Sequence, residues 1–300
     1  MFRRAAATAL PPARTPHSRH PTSPASYLTP TGPPAPPVPR PVIDVENLTK
    51  RYGDLTAVDA LSFHVPAGQV LGLVGPNGAG KTTTLRTLAG IIRPTSGRVA
   101  VAGVSMADDP IGAKRQLAFI PDEPQLFDYL TVEEHLRFVA RLYGVADAER
   151  RIDPLLDEME LAHKRTAFPG ELSRGMKQKL QTACGLLHDP RVLILDEPLT
   201  GLDPAAIRRM KGTIVARAAA GAAVILSSHL LSLVEELCTR VLVLQSGRRV
   251  ALGTLEEIVA ERPELAGRPL EDVFLALTGQ SEDPVTAAGV APAADGPVAR

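Results

Sequence analysis

The run Gly75-Pro76-Asn77-Gly78-Ala79-Gly80-Lys81-Thr82-Thr83 constrains this chain more than any other stretch. Its spacing, G-x-x-x-x-G-K-[ST], is that of a loop wrapped around a polyphosphate. Such a loop curls tightly, and Gly75, Gly78 and Gly80 supply the backbone freedom that this needs. Its N–H groups then face phosphate oxygens, and the following helix N-terminus adds positive potential. Lys81 brings a mobile cation to the outer phosphates, and Thr82 offers a hydroxyl to Mg²⁺. The flanks agree: residues 69–74 (QVLGLV) read as a buried strand, and residues 83–90 (TTLRTLAG) as a helix closed by glycine. The competing interpretation, a glycine-rich turn without a ligand, leaves that strand–loop–helix context unexplained.

Charge excludes one large class of function. The 33 basic residues balance 33 acidic ones in 300, so no broad basic face is available for nucleic acid. With no Trp and 4% aromatic residues, base-stacking platforms are excluded as well. The two cysteines, Cys184 and Cys238, are far apart in helical or apolar contexts and read as reduced core thiols. No apolar run reaches the length that a bilayer span requires. Service to a membrane would therefore run through a partner.

Residues 1–41 differ in kind from the rest of the chain. They are crowded with proline, and no acidic residue precedes Asp44, so a disordered, partly polyproline-like segment is expected. A transit peptide or a start codon assigned too far upstream would give the same composition. Residues 281–300, rich in Ala, Pro and Gly, are expected to be a disordered tail. In between, residues 42–48 read as an edge strand, 49–53 as a turn, and 60–65 as a second strand. After the loop helix come a strand at 98–103, a short helix at 110–115 and a strand at 116–120. The texture then turns helical from about residue 122 to 187. Thr131-Val132-Glu133-Glu134 is a capping box with Gly144 as the stop, Pro154 to Met159 a further helix, and Ser173 the cap of a third. Strands at 191–196 and 222–228, a helix at 204–219, a hairpin at 241–253 and two short helices complete the pattern.

Asp196 and Glu197 end an apolar strand, at the carboxyl edge where α/β sheets bind ligands. Asp196 is placed to hold Mg²⁺, directly or through water. Glu197, one residue on, points elsewhere and is the candidate to orient or deprotonate an attacking water. Ser227-Ser228-His229 ends the next strand. Leu172-Ser173-Arg174-Gly175-Met176 opens a helix in the manner of an anion-binding start. Taken singly, these read equally as a solvated acidic loop, a surface histidine and an ordinary serine cap.

Together, and in this order, they resemble the ATP-binding cassette (ABC) family over roughly residues 42–280. The resemblance implies an α/β fold: a P-loop NTPase (RecA-like) mixed-sheet core with an antiparallel β subdomain and an inserted α-helical signature subdomain. It implies that Tyr52 stacks on adenine and that Gly75 to Thr83 is the Walker A loop. Asp196 and Glu197 correspond to Walker B and the catalytic base, and His229 to the switch histidine. Ser173, Arg174 and Gly175 correspond to the signature that meets ATP held by a partner subunit, and Asp203 to the D-loop at the dimer interface. ATP and Mg²⁺ are the implied cofactors, with Thr82, Asp196 and Asp122 toward the metal.

The implied partners are an integral membrane permease and a second nucleotide-binding subunit, most simply a homodimer. The implied location is the cytoplasmic face of the bacterial plasma membrane. The activity would be ATP hydrolysis coupled to transport, of the exporter type. The alternatives are a soluble ABC ATPase outside transport, whose relatives carry paired cassettes, zinc sites or coiled coils absent here, and a small-molecule kinase, which leaves the signature unexplained. Two departures stand out. Arg174 and Met176 replace glycine and glutamine of the signature, and Asp122 stands at the position the family fills with glutamine.

Overall fold

The computed structural model describes residues 41–279, so the expectations for the leader before Pro41 and for residues 281–300 lie outside the described residues. The organising strand is β3 (Val70–Val74), buried along its whole length. It pairs in parallel with β8 (Ala223–Ser227) on one side and β9 (Arg240–Gln245) on the other. Strands covered on both faces read as unbroken apolar runs, and VLGLV, AVILS and VLILD do so. β7 (Val192–Asp196) and β6 (Leu117–Ile120) continue the parallel sheet beyond β8. β10 (Arg248–Gly253) closes the other side antiparallel to β9 across the Ser246-Gly247 turn, giving the order β10-β9-β3-β8-β7-β6.

A second, antiparallel sheet has the order β2-β1-β4-β5, from β1 (Pro41–Tyr52), β2 (Leu55–Pro66), β4 (Ser96–Val101) and β5 (Val104–Ser105). The sequence predicts an edge strand at 42–48, yet β1 lies between β2 and β4 and pairs with both. It also runs through the predicted turn to Tyr52. Register shifts on either side of the Leu48–Leu61 pair, with Asn47 at φ 48° in β1 and Ala60 at φ 47° in β2, take up the irregular alternation and let the ladder continue. The faces of the two sheets share one core, in which Ile43, Phe63 and Val101 meet Leu73, Ile194 and Ile225.

α1 (Lys81–Leu88) follows the phosphate loop and α2 (Pro110–Arg115) precedes β6, and Leu85, Leu88 and Ala113 bury into this same core. The other face of the parallel sheet is covered by further helices. α3 (Val132–Tyr143), α4 (Ala148–Glu158), α5 (Arg174–Leu186) and α6 (Pro204–Ala219) lie between β6 and β8 in the chain. Leu136, Ile152 and Leu180 of this group pack with Leu193 and Leu226 of the sheet. α3 starts at the predicted capping box, with Thr131 accepting from Glu134 N–H and the Glu134 carboxylate accepting from Thr131 N–H, and stops at Gly144 in the left-handed conformation. α4 starts earlier than the sequence pattern suggests. Pro154 lies inside it rather than at its head, held by buried Ile152, Leu155 and Leu156 on one face.

α7 (Leu231–Leu237), α8 (Leu255–Ala260) and α9 (Leu270–Thr278) form a third cluster with Val74, Val241 and Val243. This is the mixed-sheet core with an antiparallel β part and a helical insert that the resemblance implies. Among the described residues no helix is long and apolar enough to cross a membrane.

Candidate functional site

Strand register builds the site. Ser227 at the end of β8 is level with Leu73 of β3 on one side and Asp196 of β7 on the other. The chain therefore leaves the three strands at one carboxyl edge as Gly75–Gly80, as Glu197 and as Ser228-His229. These segments line a single cleft of about 1180 Å³ together with Tyr52, Asp122 and Asp196.

Sterics explain two of the loop glycines. Gly80 has φ 100°, and a Cβ there would stand 2.4 Å from the carbonyl oxygen of Ala57. A Cβ on Gly75 would stand 2.4 Å from the carbonyl oxygen of Leu244. Only bare backbone threads between β2 and the end of β9 at these points. Lys81 Nζ donates to the carbonyls of Gly75 (2.6 Å) and Pro76 (3.2 Å), so the ammonium lies within the curl of its own loop. Burial lowers its pKa, while the charges of Glu197 and Asp196 oppose that shift. Thr82 and Thr83 line the same cleft.

Asp196 is buried, and its Oδ1 accepts the Ser227 hydroxyl at 2.6 Å. Ser227 Oγ in turn accepts Glu197 N–H at 3.3 Å. Glu197 has φ 50°, so a left-handed residue, rather than strand alternation, separates the two carboxylates. Glu197 Oε2 lies 2.8 Å from His229 Nδ1. A carboxylate only accepts, so Nδ1 carries the proton of this bond. Burial raises the Glu197 pKa above the ordinary carboxylate value, and His229, through charge and hydrogen bond, pulls it partly back. Tyr52 stands at the rim, 46% exposed, with Lys50 Nζ 4.8 Å from its ring centroid.

The donor set suits nucleotide with Mg²⁺. No group of three His, Cys, Asp or Glu side chains stands ready to hold a metal among the described residues. Mg²⁺ instead favours one or two protein oxygens completed by phosphate and water. The Thr82 hydroxyl and the Asp196 carboxylate, immobilised by Ser227, match that demand.

The structure gathers Tyr52, Gly75 to Thr83, Asp122, Asp196, Glu197 and His229 in one cleft. Ser173, Arg174, Gly175 and Asp203 do not line it. Ser173 Oγ caps α5 by accepting Met176 N–H, and Asp203 caps α6 by accepting Ala206 N–H. The backbone N–H groups of Ala206 and Ala205 lower the Asp203 pKa. Gly175 packs against the loop between β7 and α6: a Cβ on it would be 3.0 Å from Gly201 O. Asp122 lines the cleft, and its Oδ1 lies 3.3 Å from Arg174 Nη2. Sequence reasoning missed the role of Ser227 in fixing Asp196, and the reach of Leu231 and Phe274 into the cleft from the C-terminal helices. The hydroxyl pair before His229 was the visible signal for the first. Nothing local marks the second. Cys184 and Cys238 are free, and burial pushes both thiols up to about 12.

Comparison with known proteins agrees with this geometry. The family described as ABC transporter matches residues 58–200. The chain is 36% identical over 239 residues to the ABC-type transporter ATP-binding protein EcsA of Bacillus subtilis strain 168, covering 79% of this chain and 96% of that one. It is 42% identical over 213 residues to the Nod factor export ATP-binding protein I of Burkholderia pseudomallei, covering 70% of each. A solved ATP-binding subunit of an ABC transporter superposes with a TM-score of 0.76 at 38% identity, over 79% of this chain and 99% of that one. An ATP-binding cassette solved as a dimer with ADP and Pi shares the fold, with a TM-score of 0.66 at 22% identity over 71% of this chain and 98% of that one. With a phosphate loop, two strand-end carboxylates and a histidine in one cleft, and a relative matched along nearly its whole length, this chain belongs to the ABC transporter family, as an ATP-binding ATPase subunit.

Proposed function

We propose that two copies of this chain close head to tail around ATP and drive an export-type membrane permease from its cytoplasmic face. The observation that carries this reading is the division of the site. Phosphate loop, metal ligands and base candidate share one cleft, while Ser173 and Gly175 stand outside it at the exposed start of α5. A second copy would present those residues to the ATP of the first. The names of the Nod factor export relatives favour export. Phe127 (56% exposed) and Tyr129 (91% exposed) follow the cleft-lining Asp122 and give a permease an apolar face to dock on.

Within the cleft, the backbone N–H groups of residues 77, 78 and 80–82 and the Lys81 ammonium hold the phosphates, and Tyr52 stacks on the base. Thr82 and Asp196 would hold Mg²⁺, which would supply positive charge against the negative charge developing on the leaving group. The Glu197 carboxylate takes a proton as water attacks the γ-phosphorus. The bond from that phosphorus to the bridging oxygen breaks, leaving ADP and phosphate. Desolvation makes Glu197 a stronger base than an exposed carboxylate, and His229 ties up Oε2 so that the other oxygen faces the water.

The test is Glu197→Gln. This variant should bind ATP, hydrolyse about 10²-fold or more slowly, and elute as a dimer with ATP but as a monomer with ADP. Normal turnover removes Glu197 as the base. A monomer at saturating ATP sinks the paired arrangement.

A further inference from the structure

The two departures from the family pattern, Asp122 and Arg174, are in contact with each other. They are 52 residues apart, yet Arg174 Nη2 lies 3.3 Å from Asp122 Oδ1. The contact belongs to a longer seam. Gln178 Nε2 donates to Pro121 O at 3.3 Å, and Gln125 N–H donates to Gln181 Oε1 at 3.1 Å. Residues 174, 178 and 181 fall on one face of a helix, so α5 grips residues 121–125 along successive turns. The Arg174 stem is placed from its other side by Gly201: a Cβ on Gly201 would meet Arg174 Cδ at 3.0 Å.

Charge gives the seam a purpose. The cleft takes a polyanion, and three carboxylates line it, Asp122, Asp196 and Glu197, against the ammonium of Lys81. An aspartate in place of an uncharged side chain adds a negative charge facing the phosphates. The guanidinium of Arg174 is the cation beside it. We propose that Arg174 acts within its own chain as a positioning residue: it neutralises Asp122 and holds its carboxylate at the cleft wall, so that nucleotide binds beside an acidic residue. The inference rests on the nucleotide reading of the cleft. It assigns Arg174 a duty in cis, beside whatever Ser173 and Gly175 present to a second copy.

The test compares wild type, Arg174→Ala, Asp122→Asn, the double variant and Arg174→Lys. The readout is the affinity of each for a fluorescent ATP analogue, in EDTA and at concentrations where the chain is monomeric. Arg174→Ala should weaken binding by about twofold to fivefold, the scale of a half-exposed charge pair. Arg174→Lys should bind as wild type does, and the double variant should bind as Asp122→Asn does. The loss should shrink at about 0.5 M salt through screening. Unchanged monomer affinity in Arg174→Ala assigns the residue to the partner's site alone and overturns the proposal. The same loss in the Asp122→Asn background overturns it too. Failure of wild type to bind the analogue at all sinks the nucleotide reading itself, and this inference with it.

Discussion

His229 Nδ1 and Glu197 Oε2 lie 2.8 Å apart, joining the ends of two neighbouring strands through side chains that come from different loops. The bond opposes the effect of burial on Glu197, whose pKa stands above the ordinary carboxylate value. A base works only when ionised, so hydrolysis should fall on acidification at a higher pH than an exposed carboxylate would give. His229→Ala removes the charge and the hydrogen bond by which His229 lowers the Glu197 pKa, and leaves only the Lys81 charge to oppose burial. The acidic limb of the rate profile should then move to higher pH, as kcat measured from about pH 5 to 8 will reveal. A limb that stays in place would mean that the two residues are not coupled in turnover.

Lys81 satisfies itself on the Gly75 and Pro76 carbonyls, which prepares an ammonium at the centre of the loop. Hydrogen bonds to charged groups contribute about 1.5–3 kcal/mol. Lys81→Ala should therefore weaken a non-hydrolysable ATP analogue by about tenfold to a hundredfold in titration calorimetry. Retained affinity would place the phosphates elsewhere.

Gly80 and Gly78 offer a paired comparison. Both have positive φ, but a Cβ on Gly80 collides with the Ala57 carbonyl whereas one on Gly78 meets open space. Gly80→Ala should lower Tm by on the order of 5 °C and abolish nucleotide binding, and Gly78→Ala should do much less. Equal effects would show that backbone strain, rather than the close approach to β2, sets the requirement.

His135 is buried, with Nδ1 2.8 Å from Thr131 O and Nε2 accepting Phe127 N–H at 2.9 Å. Burial lowers its pKa, as it does for His188, which stacks on Tyr143. Below the unfolded value of about 6.5, the unfolded chain takes up protons that the folded chain resists. Stability is thus fully present above that pH and declines as pH falls toward the lowered folded value. His135→Gln should cost about 1–3 kcal/mol at neutral pH and flatten part of this decline, with His188 retaining the rest. Urea melts across that range decide it; an unaltered slope would exclude His135 from the pH response.

Local features were legible in the chain. The Thr131 capping box, the Ser173 cap, the α2 and α6 spans and the buried strands β3, β7 and β8 follow from side chains within a few residues of one another. Irregular segments were less legible. The 42–53 stretch reads as strand and turn because its alternation breaks at Asn47, and only bulged pairing with β2 and β4 carries it through. α4 hides its start because Pro154 looks like a helix head.

The chemistry of this protein is written in its linear order: glycine spacing, Lys81, the Asp196-Glu197 pair and the succession of motifs are one-dimensional facts with local physical causes. The adjacencies came only with folding. Parallel register sets Ser227 beside Asp196, and the packing of α5 on the segment after β6 sets Arg174 against Asp122. The difference is one of range. Caps and turns are settled within one helical turn of chain, whereas strand order and helix docking depend on burying apolar faces that meet only when the whole chain folds.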